Sequence, residues 1–293
     1  MKLYPECRQC ILQQAQRSPQ RFTDDPALRA KILADAQQLV SDFPADGMPP
    51  ELGGQFHRMM SRHLGLSDPY VREKERANNA MLRLLPALRD RVLSSEDPIA
   101  TATRFCIAAN MIDFGAPGGL RDTAPLQGLL EDSLNATVRG FQSDPVSAFA
   151  AQCAQAQRIL YICDNAGEIV ADRLLVEQLP RGRVTVAVRS APVLNDALLA
   201  DAQLVGMPEV ATVMTTGCAE PGVPLHRASD AFLRVFHAAD LIIAKGQGNF
   251  ETLDEAAAPI WFLLCVKCDV VAARLSCNIG DMVLAHASQL PPG

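Results

Sequence analysis

Apolar residues in the first half of the chain recur three or four positions apart, most clearly over residues 27–40, 79–93 and 99–112, the spacing that lines one face of a helix. From residue 5 to about residue 143 no segment reads as a strand. The helical stretches break at turn-formers: Phe43-Pro44-Ala45-Asp46-Gly47, Ser67-Asp68-Pro69 and Gly115-Ala116-Pro117-Gly118-Gly119. Beyond Asp144-Pro145 the pattern changes. Short apolar runs at 158–163, 184–188, 212–215, 241–244 and 262–266 alternate with segments long enough for a helix, which predicts a mostly parallel sheet with crossover helices. The chain thus reads as a helical domain over 1–145 followed by an α/β domain over 146–293. In open sheets of this kind ligands gather outside the carboxyl ends of the strands, so the turns after the runs are where chemistry is to be sought.

The length of 293 residues agrees with two units, because single cores rarely grow beyond about 250–300 residues. With 48% hydrophobic and 20% charged residues the chain lies outside the compositional range of disorder. The net charge is −6 and the basic residues are scattered, so the broad basic footprint of a nucleic-acid-binding protein is absent. No apolar run follows Lys2, and the longest apolar stretch, 256–266, is cut by Pro259 and too short for a bilayer. The expectation is a cytoplasmic protein with no membrane partner. Nine cysteines, an odd number at low density, read as reduced thiols.

The first run ends in Cys163-Asp164-Asn165-Ala166-Gly167-Glu168, which puts a carboxylate and an amide at a strand tip just before a helix. Asp164 and Asn165 offer the hard oxygens that Mg²⁺ or Mn²⁺ prefers, and the helix N-terminus after Gly167 offers N–H groups to an anion; the same residues also suit a simple helix cap. The second run leads to Arg189-Ser190-Ala191-Pro192-Val193-Leu194-Asn195-Asp196. There Asp196 either joins Asp164 in a carboxylate set or caps the next helix, and Arg189 either holds a phosphate or pairs with Asp196 or Asp201. The fourth run enters Lys245-Gly246-Gln247-Gly248-Asn249, a lysine before a glycine-bracketed turn. Such a turn lets backbone N–H groups approach phosphoryl oxygens while the ammonium offsets developing charge, or it is a plain surface turn. Its spacing fits neither a Walker A loop nor a dinucleotide loop.

In the helical half, Asn110 and Asp113 stand three apart on one helical face, and Lys74 and Asn78 stand one turn apart after Asp68-Pro69-Tyr70; spacing alone makes both pairs solvated surface. Cys7-x-x-Cys10 near the start is echoed by Cys265-x-x-Cys268 near the end. A four-thiol zinc site is disfavoured, because Cys265 lies in an apolar run and faces away from Cys268 if that run is a strand. Cys7 and Cys10, with Cys268, remain a candidate second metal or redox site.

Together these segments resemble the damage-control phosphatase family, long catalogued as domain of unknown function 89, and in particular its short prokaryotic branch with an N-terminal Cys-x-x-Cys. The resemblance spans nearly the whole chain. It rests on Cys7-Arg8-Gln9-Cys10, Asp68-Pro69-Tyr70 with Lys74, Ala109-Asn110-Met111-Ile112-Asp113-Phe114-Gly115, Asp164-Asn165-Ala166-Gly167-Glu168, Pro192-Val193-Leu194-Asn195-Asp196 and Lys245-Gly246-Gln247-Gly248-Asn249-Phe250-Glu251, in the family's order. What it implies is a helical domain joined to a Rossmann-like three-layer α/β/α domain, and hydrolysis of phosphate monoesters of small metabolites, damaged or surplus ones above all, with Mg²⁺, Mn²⁺, Co²⁺ or Ni²⁺. By the same resemblance the metal falls on Asp164, Asn165 and Asp196 and the phosphate on Lys245. Asn110 and Asp113 then project into the cleft, with Glu168, Arg189, Gly246, Gly248 and Asn249 as further substrate-binding positions. One departure is that Ala197 and Leu198 stand where the family usually has a β-branched residue and Thr, which removes a hydroxyl contact.

The mechanism this implies has the metal polarise a phosphoryl oxygen and activate water while Lys245 and backbone N–H groups stabilise the transferring group. Direct attack by Asp164 lacks the second Asp two residues on, where Ala166 stands. Two rivals remain. One is an S-adenosylmethionine-dependent carboxyl methyltransferase, an activity described for a relative in the wider family, although no glycine-rich loop follows the first run. The other is a non-enzymatic metal- or redox-binding protein organised by Cys7 and Cys10.

Overall fold

A computed structural model of the chain describes residues 1–111, 124–141 and 143–291. Six helices come first: α1 (Pro5–Arg17), α2 (Pro26–Asp42), α3 (Pro49–Leu64), α4 (Val71–Leu93), α5 (Pro98–Ala109) and α6 (Ala124–Ser133). Then follow β1 (Val138–Arg139), α7 (Pro145–Gln155), β2 (Ile159–Ile162), α8 (Glu168–Gln178), β3 (Val184–Val188), α9 (Leu199–Leu204) and β4 (Thr212–Thr215). The last third holds α10 (Asp230–Ala238), β5 (Leu241–Lys245), α11 (Gly246–Leu253), β6 (Ile260–Cys265), α12 (Asp269–Leu275) and β7 (Met282–His286).

Local sequence accounts for where several helices start. Asp25, Asp97 and Asp144 each stand before a proline and accept a hydrogen bond from the backbone two or three residues on, so the carboxylate caps α2, α5 and α7 while the proline fills the first helical position. All five apolar runs form strands, β2 to β6, with ends shifted by two residues or fewer.

The sheet order is β1-β7-β6-β5-β2-β3-β4, and every neighbouring pair is parallel except β6–β7. From β2 the chain moves outward one way to β3 and β4, then returns to lay β5 on the other side. The topological switch point therefore lies between β2 and β5. Strand residues alternate between two cores, as the pleat requires. Ile159 and Tyr161 belong with α4 to α8, whereas Leu160 and Ile162 belong with α10, α11 and α12.

Beyond the additional strand β7, two findings differ from the sequence expectation. First, β1 lies within the stretch read as wholly helical; at two residues it is too short to show any alternation. Second, the first 145 residues do not share one core. The helices α1 to α3 close on a cluster of their own, including Ile32, Leu52 and Phe56, while α4, α5 and α6 are built into the core on one face of the sheet. Among the described residues no helix is long and apolar enough to cross a membrane.

Candidate active site

β2 and β5 run in register with Ile162 opposite Ala244, so the segments that leave them meet at the switch point. Gly246, at φ 79°, makes that meeting possible: a Cβ there would lie 1.9 Å from Asp164 Oδ2. The exits of β2 and β3 are joined by two backbone hydrogen bonds, Ala166 N to Asn195 O and Ala197 N to Asp164 O, both 2.8 Å. Asn165 and Asp196 are thereby paired across an isolated bridge.

Side chains then fix the oxygens. Asn110, at the C-terminal cap of α5, donates its Nδ2 to Asp164 Oδ2 at 3.0 Å and to Glu168 Oε2 at 2.9 Å. Asn165 Nδ2 donates to the same two atoms, at 2.7 and 3.0 Å. Arg189 donates its Nε to Asp196 Oδ2 at 2.7 Å and its Nη2 to Asn249 Oδ1 at 3.0 Å. Each of Asp164, Asn165 and Asp196 is therefore held by one end of its side chain. Their remaining oxygens accept no hydrogen bond among the described residues; Asp164 Oδ1 has only Arg189 Nη2 at 3.8 Å.

Charge at this point is unbalanced. Four buried carboxylates, Asp164, Glu168, Asp172 and Asp196, face two buried cations, Arg189 and Lys245. Burial pushes Asp196 up to about 7 and Asp172 up to about 6; Asp164 is raised as well, by burial and by neighbouring Glu168. Glu168 goes the other way, because Lys245 and the two asparagine amides outweigh its burial. Three open hard oxygens amid a formal excess of two negative charges fit a divalent cation in number, hardness and charge. Among the described residues no three or more His, Cys, Asp or Glu side chains form such a set, so it depends on the Asn165 amide oxygen.

Four expectations change. Lys245 does not face a phosphate. It is the last residue of β5 and fully buried, and Nζ spends its three donors on Glu168 Oε1 at 2.6 Å, Asp172 Oδ1 at 2.8 Å and Cys106 O at 3.1 Å. Those two carboxylates hold it protonated against its burial. Second, the segment after it is not an open phosphate loop, because α11 begins at Gly246 and Gly248 lies against Pro221, whose carbonyl oxygen a Cβ would approach to 2.0 Å. Third, at the helix start after Gly167 the N–H groups of Ile169 and Val170 are taken by Asn165 O and Gly167 O at 3.1 and 3.2 Å, and that of Gly167 itself by Asn78 Oδ1 at 2.7 Å, so these are not free for an anion. Fourth, Asn78 and Lys74 are buried rather than solvated, Lys74 pairing with Asp68 at 2.5 Å. Glu168, Arg189, Asn110 and Asn249 are also buried, tied into the ligand-bearing turns rather than exposed to the cleft. Asp113 lies outside the described residues.

The cleft above the strand tips measures about 660 Å³, with Gln14, Arg21, Tyr70 and Glu73 on one wall and Asn165 and Lys267 on the other. Sequence reasoning missed Lys267. It is exposed, its backbone N–H donates to Gln247 Oε1 at 3.0 Å while its ammonium meets no acceptor among the described residues, and it lies close enough to Asp164 to favour its ionised form. The signal was present, since Lys267 follows the fifth run as the other site residues follow theirs. All nine cysteines are free. Cys7 and Cys268 are half-buried and Cys10 exposed; burial, then the nearby Glu251, Cys268 and Cys10, push the Cys7 thiol up to about 11.

A mostly parallel sheet covered by helices on both faces, with acid and amide oxygens at its switch point, defines a class: Rossmann-like α/β/α proteins. The family model of the damage-control phosphatase ARMT1-like domain matches residues 3–283. An uncharacterised protein of Methanocaldococcus jannaschii is 34% identical over 97% of this chain and 95% of its own. A damage-control phosphatase of Pyrococcus horikoshii is 33% identical over 97% of each chain. The crystal structure of a domain-of-unknown-function-89 protein from Pyrococcus horikoshii matches with a TM-score of 0.89 at 29% identity, covering 98% of this chain and 99% of that one. The chain belongs to the damage-control phosphatase family, and this membership supports a phosphatase role.

Proposed function

We propose that the protein is a divalent-metal-dependent phosphatase acting on phosphate monoesters of small metabolites, such as sugar phosphates or damaged cofactor phosphates. The observation that carries this reading is the set of three pinned side chains, Asp164, Asn165 and Asp196, each with one oxygen left open in a region of excess negative charge. Mg²⁺, Mn²⁺, Co²⁺ or Ni²⁺ bound there would supply Lewis acidity toward a phosphoryl oxygen and toward water.

The chain's own residues do the rest. Arg189 fixes which oxygen of Asp196 is presented. Asp164 and Glu168, both held by Asn110, accept from the Asn165 amide so that its carbonyl oxygen, not its NH₂, faces outward. Lys245 keeps Glu168 ionised and in place from behind. Lys267 meets the phosphate and offsets its charge as the ester bond breaks, the role that Lys245 cannot fill from its buried position.

The test is phosphate release from an aryl phosphate and a panel of sugar and cofactor phosphates, by chelator-stripped protein to which each metal is returned singly. Wild type should turn over with at least one metal, and Asp164→Ala should lose that turnover. No release with any metal, or an unaffected variant, would defeat the proposal.

A further inference from the structure

We propose that Asn78 is a positioning residue that sets the spacing between the two turns carrying Asp164–Asn165 and Asp196. The inference rests on the metal reading above.

Asn78 belongs to α4, far in sequence from either turn, and is 1% exposed. Its Oδ1 accepts from Gly167 N at 2.7 Å, and its Nδ2 donates to Asp201 Oδ1 at 2.6 Å. Asp201 accepts in turn from Leu198 N at 2.8 Å through its other oxygen. Gly167 closes the turn after β2, and Leu198 closes the turn after β3. One amide thus ties the far end of one ligand-bearing turn to the far end of the other, behind the backbone pairs that join them at Asp164 and Ala166. Small hard cations tolerate little error in ligand spacing, so a tie that fixes the spacing acts on metal affinity without touching the metal.

The polarity of the tie is determined. Gly167 N can only donate, so Asn78 must turn its oxygen there and its NH₂ toward the Asp201 carboxylate. This makes the inference testable by exchange. Asn78→Asp alone sets two carboxylates against each other. Asp201→Asn alone leaves two amide donors facing each other or, if Asn78 flips, an NH₂ against Gly167 N. Asn78→Asp combined with Asp201→Asn restores every hydrogen bond with the roles reversed.

The measurement is calorimetric titration of Mn²⁺ into chelator-stripped wild type, both single variants and the double, with the thermal midpoint of each stripped protein recorded. Each single variant should bind Mn²⁺ about tenfold more weakly, within the usual range for groups that orient metal ligands, and excess Mn²⁺ should restore much of its lost turnover. The double variant should return to wild-type affinity. Single variants that bind as wild type does, or a double variant that stays weak or fails to fold, would overturn the inference. Should wild type itself take up no Mn²⁺, the metal reading falls first, and this inference with it.

Discussion

The strand-tip region and the three-helix cluster of α1 to α3 both bury polar side chains, but they bury them differently. In the helical cluster His57 sits 3% exposed among Phe56, Tyr70 and other core residues, with one ring nitrogen 3.2 Å from Gln14 Oε1 and the other without a partner. Burial lowers its pKa to about 3, so it is an uncharged filler. At the strand tips six charged groups share one interior, and their charges do not cancel. A fold maximising stability would replace such an arrangement with apolar side chains of similar size. The contrast separates a buried polar group that is neutral and packed from a set that stays charged and uncompensated, as the proposed metal site requires.

The most severe way to test that contrast is to remove the buried cation. Lys245→Met should destabilise the protein by about 3–5 kcal/mol in denaturant unfolding, because Glu168 and Asp172 lose their common partner, and adding Asp172→Asn should recover part of the loss. A cost below about 1 kcal/mol would mean the cluster is wetter than its burial suggests.

For the helical cluster the lever is pH. The folded pKa of His57 lies below the unfolded value, so its neutral form contributes full stability above about pH 6.5, and that contribution is lost as pH falls toward 3. By pH 4 wild type should lose about 3 kcal/mol more than His57→Gln, which cannot take up the proton. Parallel stability curves for the two proteins from pH 7 to pH 4 would show that His57 charges freely in the folded state.

Lys267→Ala should lower kcat/KM about 100-fold, the low end for loss of one charge-stabilising donor, and leave stability within about 0.5 kcal/mol because the side chain is exposed. Equal activity would return the phosphate contact to another group. The smallest effect belongs to the cleft wall, where Arg21 and Glu73 pair at 3.2 Å with both side chains partly exposed. Breaking that pair with Arg21→Gln should cost about 0.2–1 kcal/mol, less at high salt.

Much of this organisation is legible in the sequence, and the misses have physical causes. Strands β2 to β6 are short apolar runs separated by helix-length stretches, so their pattern survives without tertiary information. β7 was not picked out, although Met282-Val283-Leu284-Ala285 is a short apolar run after a helix, like those that form β2 to β6. That the turns carrying Asp164, Asn165 and Asp196 meet was legible because segments leaving the strand tips converge at the switch point of such a sheet. The direction of Lys245 was not. Leu241, Ile243 and Lys245 share one face by parity, and that face is covered by α8, which carries Glu168 and Asp172. Only a decision about which layer covers which face turns that parity into a partner. The amide ties of Asn78 and Asn110 were invisible for a related reason, since both join segments separated by more than fifty residues.

Strand β5 passes into α11 with no residue between them, Lys245 ending one and Gly246 beginning the other. In mechanical terms the floor of the cleft has no hinge on that side: a strand buried in the sheet continues directly into a helix packed beneath it. The opposite wall, where Gln14 of α1 and Arg21 of the turn after it face the opening, belongs to a part of the chain that rests on a core of its own.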